Sequence, residues 1–296
     1  MGTILVGTSS WTDPTLIESG RFYPPQAKTA EARLRYYAGV FKLVEVDSAY
    51  YAPPAESTAR LWVERTPQDF LFDIKAFRLF THHPTPVKAL PADLRQALPG
   101  TAEKGSVYQR DIPAEITDEV WRRFEQALLP LDSAMKLGVV MLQFPPWFCP
   151  GSEQERYILS CKQRLPQYRV AVEFRHSSWF NEKNRHRTFD FLRANALPYV
   201  CVDEPQGFNS SVPPLVEATS DIGVVRFHGR NAGAWEKKDI GPAERFNYLY
   251  SEQELQEWAA KIRELAGNTA QTHVLFNNCY QDRAVSNARQ IALMLE

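Results

Sequence analysis

Eight short apolar runs, each ending in a polar or charged cluster, recur along the 296-residue chain at 4–9, 43–47, 71–75, 139–143, 169–175, 199–203, 224–228 and 273–277. Most are separated by stretches with helical spacing. Strands alternating with helices imply a parallel sheet, and eight such units in a chain of this length predict an α/β fold, a (β/α)8 TIM barrel. The expectation is a single domain over 1–296, with long loops after the third strand (81–117) and the seventh (229–250). Loops of that length in a compact barrel are usually functional.

Helical periodicity is expected over 29–41, 121–135, 189–194 and 252–265, with Asp118 and Ser251 as N-caps and Glu254 completing a capping box for the second. The net charge is −1, so no global basic surface is available to a polyanion. No apolar run reaches the length of a membrane span and no basic-then-apolar leader precedes the first strand, so the expected location is the cytoplasm. Cys149, Cys161, Cys201 and Cys279 form no C-x-x-C pair and read as reduced packing residues, with Cys279 nearest the presumed site.

Strand parity supplies the chemistry. Alternate residues of a strand face opposite sides. In the fifth run Val170, Val172 and Phe174 pack outward on helices, which turns Glu173 and Arg175 inward. In the seventh, Arg226 and His228 turn inward. The same rule sends Glu45, Asp47, Asp73, Lys75, Gln143, Asp203 and Asn277 to the barrel axis. Buried charges must neutralise one another or hold a ligand. A salt-bridged plug and a functional site therefore both stand, the latter favoured because barrel enzymes place catalysis at the C-terminal ends of their strands.

Several motifs follow one another in the order of a known family: Gly7-Thr8-Ser9-Ser10-Trp11, Phe22-Tyr23-Pro24, Val44-Glu45-Val46-Asp47-Ser48, Leu142-Gln143-Phe144-Pro145-Pro146, Val172-Glu173-Phe174-Arg175-His176 with Trp179, Arg226-Phe227-His228-Gly229-Arg230 and Phe276-Asn277-Asn278. The chain thereby resembles the YecE-like family (domain of unknown function 72) over essentially its whole length. The resemblance implies a TIM-barrel fold and supplies no reaction. Ser10, Asp47 and Cys279 depart from the glycine, asparagine and histidine common in that family.

Glu173 is the leading acid/base candidate, with Lys75 and His228 to move protons or polarise a substrate and Glu45 beside them. Lys75 also has the alternative of a Schiff-base amine. Arg175 and Arg226 would hold substrate charge. His228-Gly229-Arg230 and Asn277-Asn278, before a helix starting near Asp282, occupy the place where many TIM barrels bind phosphate, with Arg283 adding charge. Of the loop histidines, His82 is expected to reach the site and His83 to lie on the surface. Trp11, Tyr50, Tyr51, Trp147, Phe148, Trp179, Phe180 and Trp235 follow strand ends, where they would either wall a pocket or close the mouth by mutual packing. Together these residues predict metal-independent acid/base chemistry (hydrolysis, elimination or isomerisation), without a cofactor, on a small anionic or phosphorylated molecule. Two alternatives stay open: a metal-dependent hydrolase or nuclease-like barrel using Glu45, Glu173, Asp203, His176 and His228, and a non-catalytic module binding a nucleotide or nucleic-acid end.

Overall fold

The computed structural model describes residues 2–98 and 105–296. The part of the long third loop at 99–104 lies outside the described residues. Eight parallel strands make up the barrel: β1 (Thr3–Thr8), β2 (Leu43–Val46), β3 (Leu71–Lys75), β4 (Leu137–Gln143), β5 (Arg169–Glu173), β6 (Val200–Asp203), β7 (Ile222–Phe227) and β8 (Gln271–Phe276). They pair in the order β5-β4-β3-β2-β1-β8-β7-β6. Six residues of β8 are in register with six of β1 and six of β7. Closure between β5 and β6 is far thinner: a single bridge joins Val172 to Tyr199, and the Val172 N–H donates to the Pro198 carbonyl at 2.9 Å. The result is a nearly closed TIM-type barrel.

The helices are α1 (Pro14–Ser19), α2 (Ala30–Val40), α3 (Glu56–Glu64), α4 (Ala92–Gln96), α5 (Ala114–Ser133), α6 (Ser152–Gln163), α7 (Arg185–Ala194), α8 (Pro242–Arg245), α9 (Glu252–Gly267) and α10 (Arg283–Leu295). Among the described residues, none is long and apolar enough to cross a membrane. Helix α9 shows why such segments coat a barrel. Leu255, Trp258, Ala259, Ile262, Leu265 and Ala266 fall on one face at helical spacing and are buried. Its start is fixed by the capping box: the Glu254 N–H donates to Ser251 Oγ and the Ser251 N–H to Glu254 Oε2. Asp118 does not cap a helix. α5 begins four residues earlier, at Ala114 after Pro113, where proline sets an extended entry and an apolar face is already running.

Between β3 and β4 the register shifts after Phe72, and Asp73 explains how the extra residue is accommodated. Its Oδ1 accepts the Val139 N–H at 2.8 Å, while His273 Nδ1 lies 2.9 Å from its Oδ2 inside the barrel. Gly138 is required at this bulge, because a Cβ there would meet Asp73 Oδ1 at 2.1 Å.

Candidate active site at the C-terminal mouth

Parity turns Glu45 of β2, Glu173 of β5 and Arg226 of β7 into the barrel, and their side chains meet with no solvent exposure. Arg226 Nε donates to Glu45 Oε2 at 2.8 Å and its Nη2 to Glu45 Oε1 at 2.7 Å, a two-pronged grip. Its remaining Nη1 donates to Glu173 Oε2 at 2.5 Å. Ser9, just past β1, adds an Oγ–H to Glu45 Oε2 at 2.9 Å.

His228 stands beside this array with Nε2 3.1 Å from Glu173 Oε1. An ionised carboxylate only accepts, so the network assigns the proton to Nε2, leaving Nδ1 to accept from Asn277 Nδ2 at 2.9 Å. Burial, reinforced by Arg175, pushes His228 down to about 3 and keeps the ring neutral. Burial alone would raise Glu173, but Arg226, His228 and Arg175 together outweigh it and hold the carboxyl well below its usual range.

Arg175, 8 % exposed, roofs the cluster. Its Nε lies 3.0 Å from Glu173 Oε1 and its Nη1 donates to Glu204 Oε2. Glu204 is the residue parity missed. It follows β6, accepts the Val212 N–H at 2.7 Å on its other oxygen, and burial raises it to about 7 against the pull of Arg175. Two carboxyls joined by one guanidinium are thus driven in opposite directions. Above Arg175 sits the Trp235 ring, 5.1 Å away and held by its Nε1–H to Ser210 Oγ at 3.1 Å.

Lys75 lies at the edge of the cluster, donating to Asp47 Oδ1 at 2.7 Å with Nζ 4.5 Å above the Tyr50 ring. Gln143 reaches the mouth half-buried at the end of β4, in register with Glu173.

Other expected residues fall elsewhere. Asp203 faces the helices: its carboxylate accepts Trp258 Nε1–H at 2.7 Å, Tyr250 O–H at 2.7 Å and the Arg230 fork. Run 199–203 is buried on both faces, so it carries no alternation from which to read its phase. Arg230, bound to Asp203 and to Glu254 at 2.9 Å, ties β6 to α9 rather than facing the mouth. The neighbouring donors of the expected phosphate corner are also taken: Gly229 N–H by Tyr250 Oη at 2.8 Å, Asn278 Nδ2 by the Tyr248 carbonyl and Asn287 Oδ1. Trp11 packs edge-on against Trp62 of α3, and Trp179 stacks on outward-facing Phe174, so both belong to the helix layer. The histidines exchange places. His82 packs 4.1 Å from Tyr157 of α6, whereas His83 faces the rim, 5.3 Å from Tyr50. Burial and the nearby Lys75, Arg78 and Arg175 push His83 down to about 3.

For a metal, the cluster offers Glu45, Glu173, Glu204 and His228, but Arg226 and Arg175 already hold the carboxylates and the His228 Nε2 faces Glu173. Among the described residues, no three His, Cys, Asp or Glu side chains converge as a cation site.

Residues 5–296 match the family described as a protein of unknown function, DUF72. The chain belongs to the DUF72 family. It is 32% identical over 297 residues to UPF0759 protein YunF of Bacillus subtilis (strain 168), covering 99% of this chain and 95% of that one. Among solved DUF72 structures, TM1631 of Thermotoga maritima MSB8 superposes with a TM-score of 0.76 at 30% identity, covering 99% of both chains. EF0366 of Enterococcus faecalis V583 gives 0.80 at 24% identity, over 99% of this chain and 95% of that one, a likeness of fold. None of these DUF72 relatives carries a reaction in its description.

Proposed function

We propose that the mouth of this DUF72 barrel is a metal-independent acid/base site for a small anionic, preferably phosphorylated, substrate. The observation that carries this reading is the Arg175 bridge between Glu173 and Glu204. Carboxyls whose proton affinities are pushed apart are what an enzyme needs to run an acid and a base together near neutral pH. In this reading Arg175 turns to the anionic group of the substrate and Glu204 transfers the proton. Glu173 with the Nε2–H of His228 stabilises charge at the reacting centre. Lys75 adds a second cation, and Glu45 acts as a positioning residue by holding Arg226. Entry requires the 229–250 loop to swing Trp235 away, the sort of motion that gates many barrel enzymes. Hydrolysis, elimination and isomerisation all fit this donor set.

The test is a thermal-shift screen of phosphate esters, sugar phosphates and hydroxy acids, followed by product detection by NMR. A ligand at a hundredfold its Kd adds about 2.7 kcal/mol of stability. Arg175→Met is expected to lose the shift. Glu204→Gln is expected to keep binding and lose turnover. If no anion shifts the wild type, and Glu173→Leu with Arg175→Leu is at least as stable, the cluster is a structural plug and the reading fails.

A further inference from the structure

Across the mouth from the expected phosphate corner, Arg78 holds no carboxylate among the described residues. Arg78 begins the turn after β3, and its Nε is buried with no acceptor. By contrast, Arg226, Arg175 and Lys75 each hold at least one carboxylate. Its guanidinium lies 5.1 Å from the centre of the Tyr50 ring, which Lys75 Nζ also approaches. A buried donor without an acceptor is unfavourable, and an anion would relieve it. Lys75, with one hydrogen bond to Asp47, has two more N–H groups to offer.

An aromatic row leads away from this point. Tyr51, 49 % exposed, meets Tyr50 edge-on at 5.1 Å. Tyr50 is 5.3 Å from His83, and His83 is 5.9 Å from Trp147. Trp147 is 58 % exposed. Its presentation is built in: Pro145 and Pro146 stiffen the turn, the Phe148 N–H closes it onto the Pro145 carbonyl at 2.9 Å, and Phe148 anchors it by stacking on Phe144 at 4.0 Å. An indole held in water at the far end of a row of rings that starts under Arg78 is poor as core and good as a stacking platform.

We propose that this side of the mouth binds a mononucleotide, with its phosphate on Arg78 and Lys75 where Arg175 turns to meet it, and its base on Trp147. The assignment rests on the anion-binding reading above and names its substrate class. Arg presents a planar fork that matches phosphate oxygens, and a flat ring stacks regardless of sequence identity of the base.

Calorimetric titrations with adenosine 5′-monophosphate, ribose 5-phosphate and adenosine separate the parts. The nucleotide is expected to bind roughly tenfold or more tightly than ribose 5-phosphate, the span of one stacked base, and adenosine not measurably. Trp147→Ala should bring the nucleotide down to the level of ribose 5-phosphate, with Trp147→Phe between. Arg78→Met should weaken both phosphates. Equal binding of nucleotide and ribose 5-phosphate overturns the ring subsite and leaves the anion reading standing. Equal binding of nucleotide and adenosine overturns the Arg78–Lys75 anchor. If neither phosphate binds while another anion stabilises the protein, the nucleotide assignment alone fails; if no anion does, both readings fail.

Discussion

Arg226 and Glu45 face each other across the barrel, two N–H groups against two carboxylate oxygens at 2.8 and 2.7 Å, with neither side chain reached by solvent. Their energetic meaning is asymmetric. Removing one partner strands a charge, while removing all of them leaves hydrocarbon.

Arg226→Met should therefore destabilise the fold by about 3–5 kcal/mol in urea titrations, because Glu45 and Glu173 both lose their partner. Combining it with Glu45→Met and Glu173→Leu should recover most of that loss. A triple variant as unstable as the single one would show that more than charge is at stake.

Opposite pH slopes are expected from Glu204 and His228. Glu204 is raised to about 7, so between the ordinary glutamate value and 7 the folded chain binds a proton that the unfolded chain has released. Its contribution is complete below the unfolded value and lost as pH rises through 7. His228, lowered to about 3, is neutral in the fold when the unfolded imidazole takes a proton, so stability falls as pH drops below about 6.5. Unfolding free energies from pH 4 to 8 should show Glu204→Gln gaining on wild type as pH rises, and His228→Gln gaining as pH falls. Parallel curves for wild type and variant would contradict the assigned shifts.

Asp203→Ala should cost about 2–4 kcal/mol, since it leaves two buried donors, Trp258 Nε1 and Tyr250 Oη, without their acceptor and Arg230 with Glu254 alone. Ligand affinity at the mouth should hold within about twofold in the folded fraction at low temperature, because this carboxylate faces α9. A collapse of affinity without loss of stability would return Asp203 to the site.

Gly138→Ala should destabilise by about 3 kcal/mol or more, with a Cβ forced against Asp73 Oδ1 at 2.1 Å and His273 Cε1 at 3.0 Å. In a double-mutant cycle with Asp73→Ala the costs should fall well short of additive, because both changes act on one space. Additivity would mean that the backbone, and not Asp73, sets the requirement for glycine.

The barrel was legible because each strand is an apolar run ending at a charged rim, and parity placed Glu45, Glu173, Arg175, Arg226 and His228 in one network wherever a strand alternated. It failed where that signal vanishes. Strand β6 is apolar on both faces, so nothing in 199–203 distinguishes inward Glu204 from outward Asp203. Loops have no parity at all: His82 takes a left-handed turn at φ 59° that sends its ring to α6 and leaves His83 to the rim. The aromatics divided for a related reason. Trp11 and Trp179 fold back onto outward strand residues, whereas Trp147 is kept out by its prolines. Proximity to a strand end in the chain does not say which side of the wall a ring will choose.

The thin joint between β5 and β6 lies directly under the two carboxyls that Arg175 connects. The gap from Glu173 to Glu204 is consequently governed by a side chain more than by a backbone ladder. On the proposed reading, an anion that draws Arg175 aside would act on the barrel at its weakest stave, coupling occupancy of the mouth to the girth of the wall.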